Sequence, residues 1–141
     1  MRTGFYIKPT RNTKDLYIVG MMKNTVQHKR SLPLLVASEF VRRPNQAFDV
    51  PINLDGDRAN NHYTNLMWRP LWFARKYSRQ FYDDHVTFVD PIEDVETGEL
   101  YKNSMHAATL HGILDIEIYL SMCNNTYVWP TGQIFREALD R

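Results

Sequence analysis

The sequence lacks the residues and runs that mark several large classes of protein. Its 141 residues include one cysteine, Cys123, which excludes an intrachain disulfide and a cysteine-rich zinc site. No apolar run approaches the roughly 20 residues that a membrane-spanning helix needs. We recognise no signal peptide, and a hydrophobic content of 43% gives no sign of disorder. We therefore expect a cytoplasmic protein of one or two small domains that has no membrane association.

Net charge is also small, at +1, but the charges are unevenly distributed along the chain. Residues 1–82 contain 14 Lys and Arg against 5 Asp and Glu, a net charge of +9. Residues 83–141 contain 3 against 11, a net charge of −8. This split predicts a basic domain, 1–82, that binds a polyanion, and an acidic domain, 83–141, with a different partner. The opposite charges also allow the halves to attract each other, within one molecule or between copies.

The first 30 residues interleave seven Lys and Arg with the aromatic residues Phe5, Tyr6 and Tyr17. Residues 16–22 have the composition of a strand. A basic strand with aromatic residues is typical of a surface that follows a phosphate backbone, and a lysine-protected edge strand is the alternative. The candidate phosphate contacts at the end of this segment are Lys29 and Arg30.

A first helix is predicted after this segment. Ser31 and Pro33 fit its first turn, and the basic residues Arg42 and Arg43 fit its end. Its apolar stripe consists of Leu34, Leu35, Ala37 and Val41, with Phe40 at the edge.

A second helix is predicted from Pro70 to about residue 82. Its apolar face consists of Leu71, Ala74, Tyr77 and Phe81. The rest of its surface is crowded by cations, which are more numerous than solubility requires: Arg69, Arg75, Lys76 and Arg79.

Between these helices lies the most distinctive stretch of the chain. Asp55, Gly56 and Asp57 predict a tight turn, because glycine takes positive φ and carboxylates hydrogen-bond nearby backbone amides. Asparagine side chains can hold the loop that follows, and apolar residues then alternate as in a short half-buried strand. The loop and strand residues of this motif are Asn60, Asn61, Asn65, Leu66 and Trp68.

This stretch resembles the ββα-metal core of the phage-type HNH homing endonucleases. Residues 55–68 match the pattern Asp-Gly-(Asp/Asn)-(Lys/Arg)-x-Asn-Asn-x3-Asn-Leu-x-Trp, and residues 34–40 echo a helix that precedes it in the family. Residues 96–99, 107–108 and 132–135 are similar to the modular DNA-binding tail of these nucleases. The resemblance implies an α+β fold with an N-terminal sheet and helix, a ββα unit and a helix-turn-helix-like tail with hairpins. It also implies the cytoplasm of a bacterial host.

The family's catalytic residues are missing from the matching positions. Where the family has a metal-binding Asp and a general-base His, this chain has Ile52 and Asn53. Where a further ligand falls on the following helix, this chain has Ala74. Isoleucine and alanine offer no oxygen to a hard cation, and an amide has no useful pKa for a general base. A weaker alternative is a magnesium site with relocated ligands, formed by His62 with Asp55 and Asp57.

The tail also departs from the family in charge. The sequence predicts two strands around residues 96–99, a helix over 105–110 between Ser104 and Gly112, and a helix over 115–123. A last hairpin is predicted with strands at 127–129 and 134–136. The second helix carries Asp115 and Glu117 and no base, which disfavours DNA contact and favours a protein partner or self-association.

The sequence therefore predicts a catalytically inactive relative of these nucleases, with no cofactor, that binds DNA through residues 1–82. Two alternatives stay open: an interaction protein for a host or viral complex, and an active nuclease with relocated ligands. The candidate nucleic-acid contacts are Lys29, Arg30, Arg42, Arg43, Arg58, Arg69, Arg75, Lys76 and Arg79.

Overall fold

The fold is α+β, as the sequence predicts. A computed structural model describes residues 10–11, 17–23, 26–82 and 86–138, with backbone alone for 10–11, 19, 21–23 and 26–30. The strands are β1 (Thr10–Arg11), β2 (Tyr17–Lys23), β3 (Val26–Ser31), β4 (Val50–Asn53), β5 (Leu66–Arg69), β6 (Ile92–Asp94), β7 (Leu100–Tyr101) and β8 (Phe135–Glu137). The helices are α1 (Leu32–Phe40), α2 (Leu71–Arg79), α3 (Ser104–His111) and α4 (Asp115–Asn124), with a 3₁₀ turn at Tyr63–Asn65. None of these helices is long and apolar enough to cross a membrane.

The chain forms two compact units whose boundary differs from the charge boundary. The first unit contains Met1–Asn53 and Asp57–Leu71, and the second contains Leu54–Gly56 and Trp72–Arg141. From Trp72 onward, helix α2 therefore belongs to the same unit as the acidic part of the chain and the short segment Leu54–Gly56. The division into 1–82 and 83–141, which was drawn from charge alone, stays a prediction.

In the first unit, a three-stranded antiparallel sheet of order β1-β2-β3 leads into α1. Pro33 lies in the first turn of α1, where its missing N–H leaves no hydrogen bond unmade. The predicted apolar stripe is wrong in part, because Ala37 is buried while Leu34 and Phe40 are exposed. The core opposite the helix consists of Leu66 and Trp68, so the buried side of this short helix is narrow and centred on Ala37.

Strands β4 and β5 form a two-stranded antiparallel sheet in the same unit. In its register Ile52 faces Met67 and Asn53 faces Leu66. Leu66 and Trp68 are buried and Met67 between them is half-buried, which confirms the predicted alternation. This sheet fixes the positions of residues 52 and 53 and of the loop that joins the two strands.

In the second unit, α2 buries Phe73, Ala74 and Tyr77. The prediction is right for the last two and wrong for Leu71, which is 50% exposed. Phe73 is buried in place of Leu71, because the rest of the unit determines which side of the helix packs. Helical periodicity alone does not identify that side.

The tail forms a sheet of order β7-β6-β8 with α3 and α4 packed on it. The predicted last hairpin is wrong in its pairing. Strand β8 pairs with β6, placing Phe135 opposite Asp94, while Val128 makes an isolated bridge to Gln133. Phe135 is buried with Ile92 in the core of this unit, which accounts for the choice of partner.

At the ends of α3, the predicted C-cap is confirmed and the predicted N-cap is wrong by one position. Gly112 ends the helix with a φ of 64°, as predicted for a left-handed C-cap. The N-cap is Asn103 rather than Ser104, because the Asn103 side chain accepts a hydrogen bond from the backbone N–H of His106 at 2.8 Å. The Ser104 hydroxyl instead bonds the backbone of Phe88.

Candidate nucleic-acid interface

The loop between β4 and β5 is held by asparagine side chains. Asn53 Nδ2 donates to the carbonyl of Asn60 at 2.8 Å and to Oδ1 of Asn61 at 2.9 Å. Asn65 Nδ2 donates to the same Asn60 carbonyl at 2.9 Å, and Asn61 Nδ2 donates to the carbonyl of Arg58. Because three side-chain amides converge on one loop, its backbone has little freedom.

Asp57 and Trp68 brace the two ends of this motif. The backbone N–H of Ala59 donates to Oδ1 of Asp57 at 2.9 Å, which is an Asx turn. At the other end, Nε1 of the buried Trp68 donates to the carbonyl of Val41 at 2.9 Å and ties β5 to the end of α1.

Gly56 lies in the second unit, against the end of α2. Its φ is +78°, and a Cβ added there would lie 2.5 Å from Cγ of Phe81. Close by, the Tyr77 hydroxyl donates to the carbonyl of Leu54 at 2.5 Å. The turn is thus closed by aromatic side chains that only a residue without a side chain can approach so closely.

The positions that correspond to the catalytic residues of the HNH family do not fit a divalent cation. Ile52 is 4% exposed and apolar, and Ala74 is buried in α2. Both hydrogens of the Asn53 amide nitrogen are used by the loop, at Asn60 and Asn61. Since magnesium requires several oxygen ligands, these three side chains would supply at most one.

Two of the alternative ligands make hydrogen bonds within their own loop. His62 is exposed, and its Nδ1 lies 2.8 Å from Oγ1 of Thr64 and accepts from the Thr64 backbone N–H at 3.3 Å. Asp57 accepts from Ala59, as described above. Across residues 10–11, 17–23, 26–82 and 86–138, no three His, Cys, Asp or Glu side chains are grouped as metal ligands.

The predicted phosphate contacts of the first unit differ in how they are presented. Arg42 is exposed at the end of α1. Arg43 is held by the carbonyls of Asn45 and Gln46, at 3.2 and 2.8 Å, with its guanidinium carbon 5.5 Å from the centre of the Trp68 ring. Its Nε and one terminal nitrogen are therefore already bonded.

The remaining candidates in this unit differ in their burial. Arg69 is 4% exposed, donates to the Trp68 carbonyl at 2.8 Å and lies over the Phe48 ring. Its guanidinium is a core cation, so we do not retain it as a phosphate contact. Arg58 is half-buried. The side chains of Lys29 and Arg30 lie outside the part of the chain that the structure describes.

Helix α2 presents its cations together. Trp72, Arg75, Lys76 and Arg79 are all exposed and follow the spacing i, i+3, i+4 and i+7, which places them on one side of the helix. The opposite side is fixed in the core by Phe73, Ala74 and Tyr77. We refer to Trp72, Arg75, Lys76 and Arg79 as the α2 stripe. It combines three positive charges with one indole ring on a rigid element.

The two carboxylates at the start of helix α4 differ in their exposure. Asp115 is 4% exposed, and its Oδ2 accepts from the backbone N–H of Thr87 at 2.9 Å and from the Thr87 hydroxyl at 2.6 Å. Glu117 is exposed in the same turn. The outer surface of the helix also carries apolar side chains, which are Ile116, Tyr119 and Leu120.

We expect Asp115→Ala to lower the free energy of unfolding by about 2–4 kcal/mol, because it leaves two Thr87 donors without their acceptor. Chemical denaturation measures the loss. The matched control is Glu117→Ala, an exposed carboxylate of the same helical turn, which should change stability by less than about 0.5 kcal/mol. Equal effects of the two substitutions would contradict a bracing role for Asp115.

A buried tyrosine, Tyr101, joins strand β7 to the end of α3. The Tyr101 hydroxyl donates to Oε2 of Glu99 at 2.9 Å and lies 2.7 Å from Nε2 of His111. Burial, followed by the hydrogen bond to Glu99, raises the pKa of Tyr101 above its ordinary value. The phenol therefore stays protonated near neutral pH and joins strand β7 to the end of α3.

Comparisons with known proteins add little to this geometry. No protein-family model matches the chain, and no curated protein matches it. Among solved structures, the chain is similar to one described as "DNA binding and cleavage by the HNH homing endonuclease I-HmuI". The identity is 17% and the TM-score is 0.48, and the alignment covers 96% of this chain and 83% of the other. A likeness at this level transfers no catalytic residue and no partner from that protein to this one.

Proposed function

We propose that this protein binds the phosphate backbone of DNA through the α2 stripe and does not cleave it. The observation that carries the proposal is the set of three exposed cations, Arg75, Lys76 and Arg79, on one side of a helix whose other side is buried. Cations on an ordered helix are held at fixed backbone positions, and phosphate contacts from Arg and Lys set the position of a protein on the duplex. Arg42, at the end of α1, is a further exposed candidate in the first unit.

The absence of cleavage is supported by the residues at the three positions where the HNH family has its catalytic side chains. Ile52 and Ala74 are buried and apolar, and the Asn53 amide is committed to the loop. The chemistry of HNH nucleases, which the central motif resembles, needs a metal ligand and a base at these places. With neither present, we infer binding without hydrolysis, as in a nuclease scaffold that has lost its activity. A phage origin and a bacterial cytoplasm remain part of this proposal through the same resemblance.

The salt dependence of DNA binding tests the proposal. We expect affinity for a duplex to fall steeply with salt, with a log–log slope of about −0.9 for each phosphate neutralised. Exchanging Arg75, Lys76 and Arg79 for Gln should make the slope shallower by about 3 and weaken binding to all duplex sequences alike. Fluorescence anisotropy of a labelled duplex across a salt series measures both quantities.

The control for this experiment is Lys102→Gln, which removes an exposed cation from the acidic part of the chain. It should leave the slope unchanged. Wild-type protein that fails to bind duplex DNA at ~50 mM salt would overturn the binding proposal. Nicking of supercoiled plasmid in Mg²⁺ or Mn²⁺ that His62→Ala abolishes would overturn the second half and favour relocated ligands.

A second function, contact with a protein partner, is favoured by one feature of α4. Ile116, Tyr119 and Leu120 expose apolar surface beside Glu117, and surfaces of this kind often mark protein interfaces. The partner is a host or viral protein or a second copy of the chain. Sedimentation over a concentration series tests for the second copy directly.

A further inference from the structure

Two tryptophan rings lie together on the surface of the second unit. Trp72 is 53% exposed and Trp129 is 44% exposed. Their ring centres are 5.0 Å apart and their planes differ by 32°. Tryptophan carries the largest apolar surface of any side chain, so leaving two of them in water loses free energy that burial would have gained. Exposure of a paired indole surface is therefore a sign of a ligand site.

The two tryptophan rings pack against the buried ring of Phe73. Phe73 is buried, and its ring centre lies 5.8 Å from that of Trp72 and 5.4 Å from that of Trp129. Tyr77 continues the aromatic cluster inward, with its ring centre 6.2 Å from that of Phe73. Both indoles thus rest on one buried ring, and a ligand that stacks on them would find a surface that is already ordered.

Positive charge lies over one of the rings and along the helix next to it. Nζ of Lys76 is 5.5 Å from the centre of the Trp72 ring, within the range of a cation–π contact. Arg75 and Arg79 follow on the same side of α2. The outer surface of this tilted ring pair, with a cation over one ring and two more along the helix, is complementary to a ligand that has a flat ring and negative charge a few ångströms away. A nucleotide has both.

We propose that Trp72 and Trp129 together form a platform, in which an unpaired nucleobase stacks on an outer, exposed face of the ring pair while Lys76 and Arg75 contact the adjacent phosphates. The proposal rests on the DNA-binding function proposed above and adds a preference to it, for strands whose bases are unpaired or flipped out of the duplex. Every base has a π-face, so such stacking contributes affinity with little sequence preference. A purely apolar partner would have to remove water from the three neighbouring cations, which favours the nucleotide.

Binding of the oligonucleotide dT12 tests the platform. We expect dT12 to quench tryptophan emission from Trp72 and Trp129, while the buried Trp68 keeps its emission. Trp72→Leu and Trp129→Leu should each weaken dT12 binding about tenfold, in line with the loss of one stacked base. Leucine keeps the apolar volume and removes the π-face. The matched control is Tyr119→Leu on α4, another exposed ring on a helix, which should leave affinity unchanged.

A twelve-residue abasic oligonucleotide carries the same phosphates without bases. Wild-type protein should bind it as weakly as Trp72→Leu binds dT12, and Trp72→Leu should bind both alike. Equal loss of affinity for dT12 and for the abasic strand in Trp72→Leu would overturn the proposal, because the ring would then act through packing. Two further ligands complete the experiment, thymidine monophosphate and the oligonucleotide U12. Tight binding of the free nucleotide would show that the ligand is a metabolite and not a nucleic-acid strand.

The two proposals fail in different ways. If the Gln variant of Arg75, Lys76 and Arg79 loses duplex binding while Trp72→Leu binds dT12 as tightly as wild type, the platform is wrong and the backbone interface stands. If wild-type protein binds neither duplex nor dT12, both are wrong. Capture of the tryptophan pair by a protein partner, seen as quenching that dT12 does not compete with, would also overturn the platform.

Discussion

Replacing Ile52 by aspartate should lower the free energy of unfolding by about 3–5 kcal/mol. Ile52 is 4% exposed and faces Met67 across the β4–β5 pair. The substitution removes a buried apolar side chain and places a carboxyl group in the same buried volume. The expected result is a large fall in the denaturation midpoint, measured in urea, and no nicking of plasmid DNA in magnesium.

Ile52→Val is the control, because it keeps the position apolar and should cost less than about 1.5 kcal/mol. The double variant Ile52→Asp with Asn53→His restores both family residues. It should be less stable still, since the histidine cannot repeat both amide hydrogen bonds to Asn60 and Asn61. A double variant that folds as stably as wild type and nicks DNA would show that position 52 is open to a metal ion after all.

Replacing Gly56 by alanine should lower the free energy of unfolding by about 2–4 kcal/mol, from two separate causes. The backbone has a φ of +78°, which L-residues with a Cβ rarely adopt. The new Cβ would also lie 2.5 Å from Cγ of Phe81, so the ring at the end of α2 has to move. Thermal or chemical denaturation measures the total.

Gly98 separates the two causes, because its φ is +73° and nothing lies within 4 Å of an added Cβ. Gly98→Ala should therefore cost only the backbone part, about 1 kcal/mol. In a Phe81→Ala background, Gly56→Ala should fall to the same value, which a double-mutant cycle reports as a coupling. If Gly56→Ala costs no more than Gly98→Ala in wild-type protein, the contact with Phe81 contributes nothing.

The parts of the fold that the sequence predicts are those with local signals. Proline in the first turn predicts the start of α1, and glycine after the last turn predicts the end of α3. Alternation of Leu66 and Trp68 predicts β5, because one side of that short strand is buried. Each of these signals acts within a few residues, so one sequence is enough to find it.

The errors involve partners that are distant in the chain. Strand β8 pairs with β6, roughly forty residues earlier, where the sequence predicted a local hairpin. Leu71 and Phe73 are both apolar, and only the packing of the second unit decides that Phe73 is buried. Hydrophobic periodicity indicates that a helix has an apolar side, and the surrounding elements determine which residues that side includes.

The candidate site also has one part that the sequence predicts and another that depends on contacts between distant residues. Counting charge finds the cations of α2, but it cannot distinguish them from Arg69, whose guanidinium is buried, or from Arg43, which is bonded to loop carbonyls. The tryptophan platform needs Trp72 and Trp129 to meet, and these residues are far apart in sequence. No local pattern predicts that contact.

The route of the chain between the two units has a consequence for dissecting the protein. The first unit is interrupted after Asn53 by three residues that belong to the second unit. It resumes at Asp57 and ends at Leu71. Neither unit can therefore be produced by a single cut, and a fragment that ends near residue 82 would carry α2 without Ile113, Trp129 and the other residues of its unit. Inside that three-residue excursion, the carbonyl of Leu54 accepts from Tyr77 and Gly56 lies against Phe81. Melting of the second unit would therefore release the turn at the start of the asparagine loop.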